Sequence, residues 1–117
     1  MRPKILCVDD EPMLLKSMMV AMRKHFEVIP ANSAAEAFDI LERDPELRVV
    51  VSDYKMPRMD GGVFLDKVRE RFPSVIRILL SGAGAEDVTD TELVFRFLSK
   101  PCPRDAFISA IEEALAQ

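Results

Sequence analysis

Five side chains able to do chemistry close apolar runs of this sequence. Asp9 and Asp10 follow Lys4-Ile5-Leu6-Cys7-Val8, Asp53 follows Val49-Val50-Val51-Ser52, Ser81 follows Ile76-Arg77-Ile78-Leu79-Leu80, and Lys100 follows Phe95 to Ser99. Singly each has an ordinary reading: an acid before Pro12 is a helix cap, Asp53 a turn residue, Ser81 a loop serine, Lys100 a solvated charge. Together they are three carboxylates, a hydroxyl and an ammonium. Carboxylates crowded into one crevice repel, and one takes up a proton unless a cation intervenes. A hard divalent ion with oxygen ligands answers that need, and Mg²⁺ suits a few carboxylates, several waters and a phosphate oxygen. A carboxylate beside such a metal can attack a phosphoryl group to give an aspartyl phosphate. Lys100 could pair with one outer oxygen of that group, and Ser81 could donate to another.

Those residues meet only if the runs form one sheet. Short, nearly continuous apolar runs of this kind read as strands buried on both faces. Between them lie helical patterns. Pro12 suits a first helical position, followed by Leu15, Met18, Met22 and Phe26 on one stripe. Ser33 and Glu36 have capping-box spacing before Ala34, Ala37, Phe38 and Leu41. Asp60-Gly61-Gly62 opens a helix carrying Phe64, Leu65, Val68 and Phe72, stopped by Pro73. Residues 86–94 have no full apolar stripe and read as a short or irregular fourth helix. A last helix from about Arg104 carries Phe107, Ile108, Ile111 and Leu115. Val28-Ile29 begins a second strand, which Pro30 assigns to a sheet edge.

Strand and helix alternate five times, which predicts a parallel sheet with helices on both faces. In such a sheet every strand's carboxyl end lies along one rim, where ligands bind. The chemistry-bearing residues all fall on that rim.

Composition bounds the remaining possibilities. The chain has 117 residues, 49% hydrophobic and 31% charged, with a formal charge of −4. This is the profile of one folded domain, residues 1–117, with no nucleic-acid-binding basic surface and no membrane span. Its N-terminal apolar run is too short for a signal peptide. Cys7 and Cys102 lack CxxC spacing, which disfavours a disulfide framework or zinc site and favours a reducing, cytoplasmic setting. Cys7 reads as a core thiol and Cys102 as a loop thiol. His25, the only histidine, reads as a helix-end cap, and Met13, Met18, Met19 and Met22 as packing residues of the first helix.

The chain resembles the receiver domain of bacterial two-component response regulators along essentially its whole length. VDDEP at Val8–Pro12 is similar to the family's acidic pair, and SDYKMPRMDG at Ser52–Gly61 to its phosphorylation loop. Ser81-Gly82 and Lys100-Pro101 match its two remaining marks. The resemblance implies a flavodoxin-like, doubly wound sheet of strand order 2-1-3-4-5. It also implies that Asp53 is the phosphoacceptor. Asp10 then ligates Mg²⁺ directly, Asp9 holds it mainly through water, and the backbone carbonyl of Lys55 supplies another ligand. Lys100 pairs with the phosphoryl group, Ser81 is the switch hydroxyl, Phe97 the rotating switch aromatic, and the Lys100–Pro101 bond is cis.

The partners so implied are a sensor histidine kinase or phosphotransfer protein as donor. An output domain or partner protein reads the surface of the fourth helix, fifth strand and fifth helix, and a phosphorylation-dependent homodimer could use that same face. The stretch Phe95 to Pro101 resembles receivers joined to cyclic-di-GMP phosphodiesterase or other enzymatic outputs, whether this is a free-standing receiver or one domain of a longer protein. The 19 positions from Ser81 to Lys100 are a few fewer than the family has, which again shortens the fourth helix. On this reading the chain is a regulatory switch rather than a metabolic enzyme, with only self-catalysed phosphotransfer and slow hydrolysis. Two other readings use the same residues. One is a pseudo-receiver that never takes phosphate. The other is a haloacid-dehalogenase-like phosphatase, whose DxD after the first strand is here DDE.

Overall fold

A computed structural model describes residues 2–82, 94–100 and 102–117. Among the described residues five strands and four helices follow in the order β1 (Lys4–Val8), α1 (Pro12–Met22), β2 (Glu27–Ala31), α2 (Ala34–Arg43), β3 (Val49–Asp53), α3 (Gly61–Arg71), β4 (Ile76–Ser81), β5 (Arg96–Ser99) and α4 (Arg104–Leu115). All neighbouring strands pair in parallel, in the order β2-β1-β3-β4-β5. This is the flavodoxin-like topology, and it places Pro30 on an edge strand, where its missing N–H breaks no central ladder. Of the fourth helix expected over residues 86–94, all but Val94 lies outside the described residues, as does Pro101. The α4 of the structure is thus the last helix of the sequence reading.

Strand alternation divides the core in two. Ile5, Cys7, Val49, Val51, Ile78 and Leu80 point to one face and are covered by Leu15 and Met22 of α1 and by Phe107, Ile108, Ala110, Ile111 and Ala114 of α4. Leu6, Val8, Val50 and Leu79 point to the other, under Ala37 and Leu41 of α2 and Phe64, Leu65 and Val68 of α3. A fully buried side chain of this size contributes roughly 1.5–3 kcal/mol. The three central strands are therefore buried on both faces.

Helix starts follow the expected capping chemistry. Ser33 Oγ accepts from the Glu36 N–H at 3.1 Å, and Asp60 Oδ1 accepts from the Val63 N–H at 2.9 Å. Three expectations need correction. The Glu36 carboxylate reaches the N–H of Asn32, one residue before the cap, at 2.9 Å, in place of that of Ser33. Helix α1 ends at Met22, so His25 stands exposed in the following turn, where its backbone N–H reaches the Met22 carbonyl at 2.9 Å. Met22 is buried and Met18 and Met19 pack at the core's margin, but Met13 is 75% exposed.

Register carries the sheet to its functional rim. Val8 pairs with Ser52, so Asp9 and Asp53 follow side by side. Asp53 pairs with Leu80, and Ser81 with Ser99, so Ser81 and Lys100 emerge next along the same edge. Three main-chain bonds prolong the ladders one residue past the strand ends: Asp9 N–H to Ala31 O (3.1 Å), Tyr54 N–H to Leu80 O (2.9 Å) and Lys100 N–H to Ser81 O (2.9 Å).

Candidate functional site

Among the described residues the buried polar side chains are Asp9, Ser52, Asp53 and Ser81. All four lie at the carboxyl ends of β1, β3 and β4. Buried carboxylates are costly unless paired, so two of them together in a stable core mark a site. One carboxylate oxygen from each of Asp9, Asp10 and Asp53 falls within 4.8 Å of the others. Asp9 and Asp53 are buried and Asp10 is exposed, so the cluster is closed on the core side and open to water.

Each acid is placed by local structure. Asp9 Oδ1 accepts from the Glu11 N–H at 3.0 Å, a turn in which the side chain bonds its own backbone two residues on. This bond holds the carboxylate in the crevice, and Glu11, not either aspartate, occupies the cap position of α1. Burial pushes the Asp9 carboxyl above the usual aspartate range. The Glu11 N–H and the Lys100 charge pull the other way, and the charges of Asp53 and Asp10 push it further up.

Lys100 reaches in from the end of β5. Its Nζ lies 2.6 Å from Asp53 Oδ1 and 3.8 Å from Asp9 Oδ2. Burial disfavours the ammonium, but the hydrogen bond to Asp53 and the charges of Asp53, Asp9 and Glu11 outweigh it, so the amine is held above its usual range. Lys100 is cationic at any physiological pH.

The structure therefore brings Asp9, Asp10, Asp53 and Lys100 into one cluster, with Ser81 buried on the adjacent strand. Lys55 is exposed on the rim, in a cleft of about 420 Å³ shared with Asp10, Tyr54, Met56, Pro57 and Asp60. Phe97 is half-buried and packs against the core on the α2–α3 face. The Lys100–Pro101 bond lies outside the described residues. The donor set fits a hard divalent ion, since every clustered ligand atom is a carboxylate oxygen and two of the carboxylates are buried. No cysteine or histidine joins them among the described residues, which disfavours zinc or copper.

Three features escape sequence reasoning. The Glu11 N–H is one. A second is Ser52, whose hydroxyl donates to the Asp53 carbonyl at 3.0 Å. The third is an apolar cleft of about 460 Å³ that runs from Asp9 and Lys100 past Leu14, Met18 and Leu80 to Cys102 and Phe107. Only Ser52 left a trace, as a polar residue inside an otherwise apolar strand.

Residues 5–112 match the family model of the response regulator receiver domain. The chain belongs to that family. The receiver is 35% identical over 117 residues to the transcriptional regulatory protein GlrR of Escherichia coli, covering 97% of this chain and 26% of that protein. It is 28% identical over 120 residues to a chemotaxis protein CheY homolog of Campylobacter jejuni, covering 96% of this chain and 92% of that protein. A receiver domain protein from Clostridium thermocellum superposes with a TM-score of 0.90 at 30% identity, covering 97% of this chain and 94% of that one. The chain spans about a quarter of the length of the first curated relatives it matches. Receiver domains of two-component response regulators are regulatory, and this chain is one of them by sequence and by fold. No helix among the described residues is long and apolar enough to cross a membrane.

Proposed function

We propose that residues 1–117 are a single receiver domain that takes a phosphoryl group on Asp53. The observation that carries this reading is the contact set of Asp53: a buried carboxylate between two further acids and the Lys100 ammonium. Asp53 Oδ attacks the phosphorus of a phosphohistidine on a sensor kinase or phosphotransfer protein. A P–O bond forms, the P–N bond breaks, and the imidazole leaves with its electron pair and takes up a proton. Water later attacks the same phosphorus and returns free Asp53 and inorganic phosphate.

Asp10, Asp53 and the Lys55 carbonyl would hold Mg²⁺, with Asp9 reaching it through water. When bound, the ion neutralises charge on the transferring group. Lys100 supplies the second fixed cation, and Ser81, next to Asp53 on the sheet, the hydroxyl for an outer oxygen. A phosphoryl group adds roughly −1.5 to −2 charge and three strong acceptors. Ser81 moving toward it draws along the end of β4, and Phe97, half-buried on the neighbouring strand, turns further inward. Partners read the resulting surface around β5 and α4, whether an output domain, a separate target or a second receiver. The two unpaired cysteines fit a reducing cytoplasm.

Intact mass measurement with a small acyl phosphate, with and without Mg²⁺, tests the acceptor. One phosphoryl group gained only with metal, and none in Asp53→Asn, is expected. No gain in the wild type would make the chain a constitutive interaction module. Turnover of a phosphomonoester would make it a phosphatase.

A further inference from the structure

The Asp53 main chain is held more tightly than a strand end requires. Ser52 Oγ, fully buried, donates to the Asp53 carbonyl oxygen at 3.0 Å. The first residue of α3 presses on the same peptide. A Cβ at Gly61 would fall on that carbonyl oxygen, and would lie 2.9 Å from Tyr54 Cα and 3.0 Å from the Asp53 carbonyl carbon. These are backbone atoms, which cannot swing aside as a flexible side chain would. The Gly61 N–H closes the approach by donating to Tyr54 O at 2.7 Å, so the loop from Tyr54 to Asp60 leaves and returns at one point. Asp60 then anchors the helix by accepting from Val63 N–H. Inside the loop Arg58 sits at φ 72°, left-handed backbone that a non-glycine residue adopts only when its surroundings impose it.

We propose that Gly61 is a positioning residue for phosphoryl acceptance, with the Ser52 hydroxyl holding the same Asp53 carbonyl. Its missing side chain lets α3 seat directly on the Asp53–Tyr54 peptide. That seating sets where the Asp53 carboxylate stands relative to Asp10 and Lys100. Any larger residue pushes the peptide away, turns the carboxylate off Lys100 and opens the acidic cluster. An attacking group misplaced by about 1 Å costs on the order of 10²-fold in rate. The inference rests on the phosphoacceptor reading above.

The test compares wild type, Gly61→Ala, Ser52→Ala and Val68→Ala. Val68 is fully buried in α3 but remote from the acids, so its truncation lowers stability without touching the site. Tyr54 is the only tyrosine and there is no tryptophan, so emission from the residue beside Asp53 reports Mg²⁺ titrations directly. Intact mass against time reports phosphoryl uptake from a small acyl phosphate.

In Gly61→Ala we expect Mg²⁺ to bind about 5–10-fold more weakly and uptake to slow by about 10–100-fold. Ser52→Ala should shift both in the same direction by about 2–5-fold, whereas folded Val68→Ala should match wild type in both. A folded Gly61→Ala with wild-type Mg²⁺ affinity and uptake overturns the proposal. If that variant does not fold, Ser52→Ala decides, and wild-type behaviour there overturns it. Should the wild type itself neither bind Mg²⁺ nor take up phosphate, the phosphoacceptor reading falls and this inference with it. Variants matching an active wild type remove this inference alone.

Discussion

Lys100 Nζ stands 2.6 Å from Asp53 Oδ1, an ion pair between the residue that follows β5 at the sheet's edge and the end of its central strand β3. The same amine is 3.8 Å from Asp9, so one cation faces two buried carboxylates. Removing it has two effects of opposite sign. In Lys100→Met the acids lose a competing positive charge, and we predict that Mg²⁺ binds about tenfold more tightly. The transferring phosphoryl group loses its fixed cation, and uptake should fall by about 10²-fold. Titration and intact mass on one preparation check both, and tighter metal with unchanged uptake would deny Lys100 its role.

Asp9 gives a stability prediction with a definite sign. Burial raises its folded pKa above the ordinary 3.8, so folding favours the protonated acid. The associated stability is present at low pH and is lost as pH rises through the raised folded value. Above that value, without divalent ions, Asp9 therefore opposes folding. Asp9→Asn keeps an oxygen for the Glu11 N–H and removes the charge, so it should melt higher than wild type, by about 4 °C for each kcal/mol released. The gap should close as pH approaches 3.8, and it should narrow when Mg²⁺ stabilises the wild type. Calorimetry across pH tests this.

The two thiols should separate cleanly under alkylation. Cys7 is fully buried in β1, and burial, with Asp9 adding to it, pushes its thiol up to about 12. Cys102 is half-buried and is raised by burial alone. Only thiolate reacts, so iodoacetamide should label Cys102 slowly at pH 7 and faster above pH 9, roughly in proportion to its thiolate fraction. Cys7 should react only when the protein unfolds, as peptide mapping after a timed exposure will report.

Switching makes a separate demand on Ser81 and Phe97. Ser81→Ala and Phe97→Ala should still accept phosphate on Asp53. In both, affinity for a partner should change less on phosphorylation than the several-fold change expected of the wild type. Isothermal titration with and without phosphodonor measures the difference, and an undiminished response would refute the switching route while sparing the acceptor.

Much of this is legible in the sequence alone, for identifiable reasons. Parallel strands buried on both faces leave nearly continuous apolar runs, and the residues that close those runs stand at the rim; Asp9, Asp53, Ser81 and Lys100 are among them. Pro30 gave away an edge strand because it lacks a donor, and Ser33 and Asp60 gave away helix starts because they cap through local bonds. What stayed hidden depends on distance in space. Met13 fits a methionine series by spacing, yet it lies in the first turn of α1 with its side chain in solvent. His25 follows α1 by three residues because the chain turns at Met22 to bring Phe26 into the core. Gly61 reads as a turn glycine, and only the packing of α3 on the Asp53 peptide shows why nothing larger fits.

Chemical trapping of the acceptor is the sharpest single test. The protein is treated with a small acyl phosphate and Mg²⁺, reduced with borohydride, digested and sequenced by mass spectrometry. Hydride from borohydride reduces an aspartyl phosphate to homoserine with release of phosphate, leaving a residue one oxygen lighter and two hydrogens heavier than aspartate. Homoserine at position 53, metal-dependent and confined to that residue, is the predicted result. Homoserine at position 9 or 10, or none in a protein that has demonstrably gained a phosphoryl group, would contradict it.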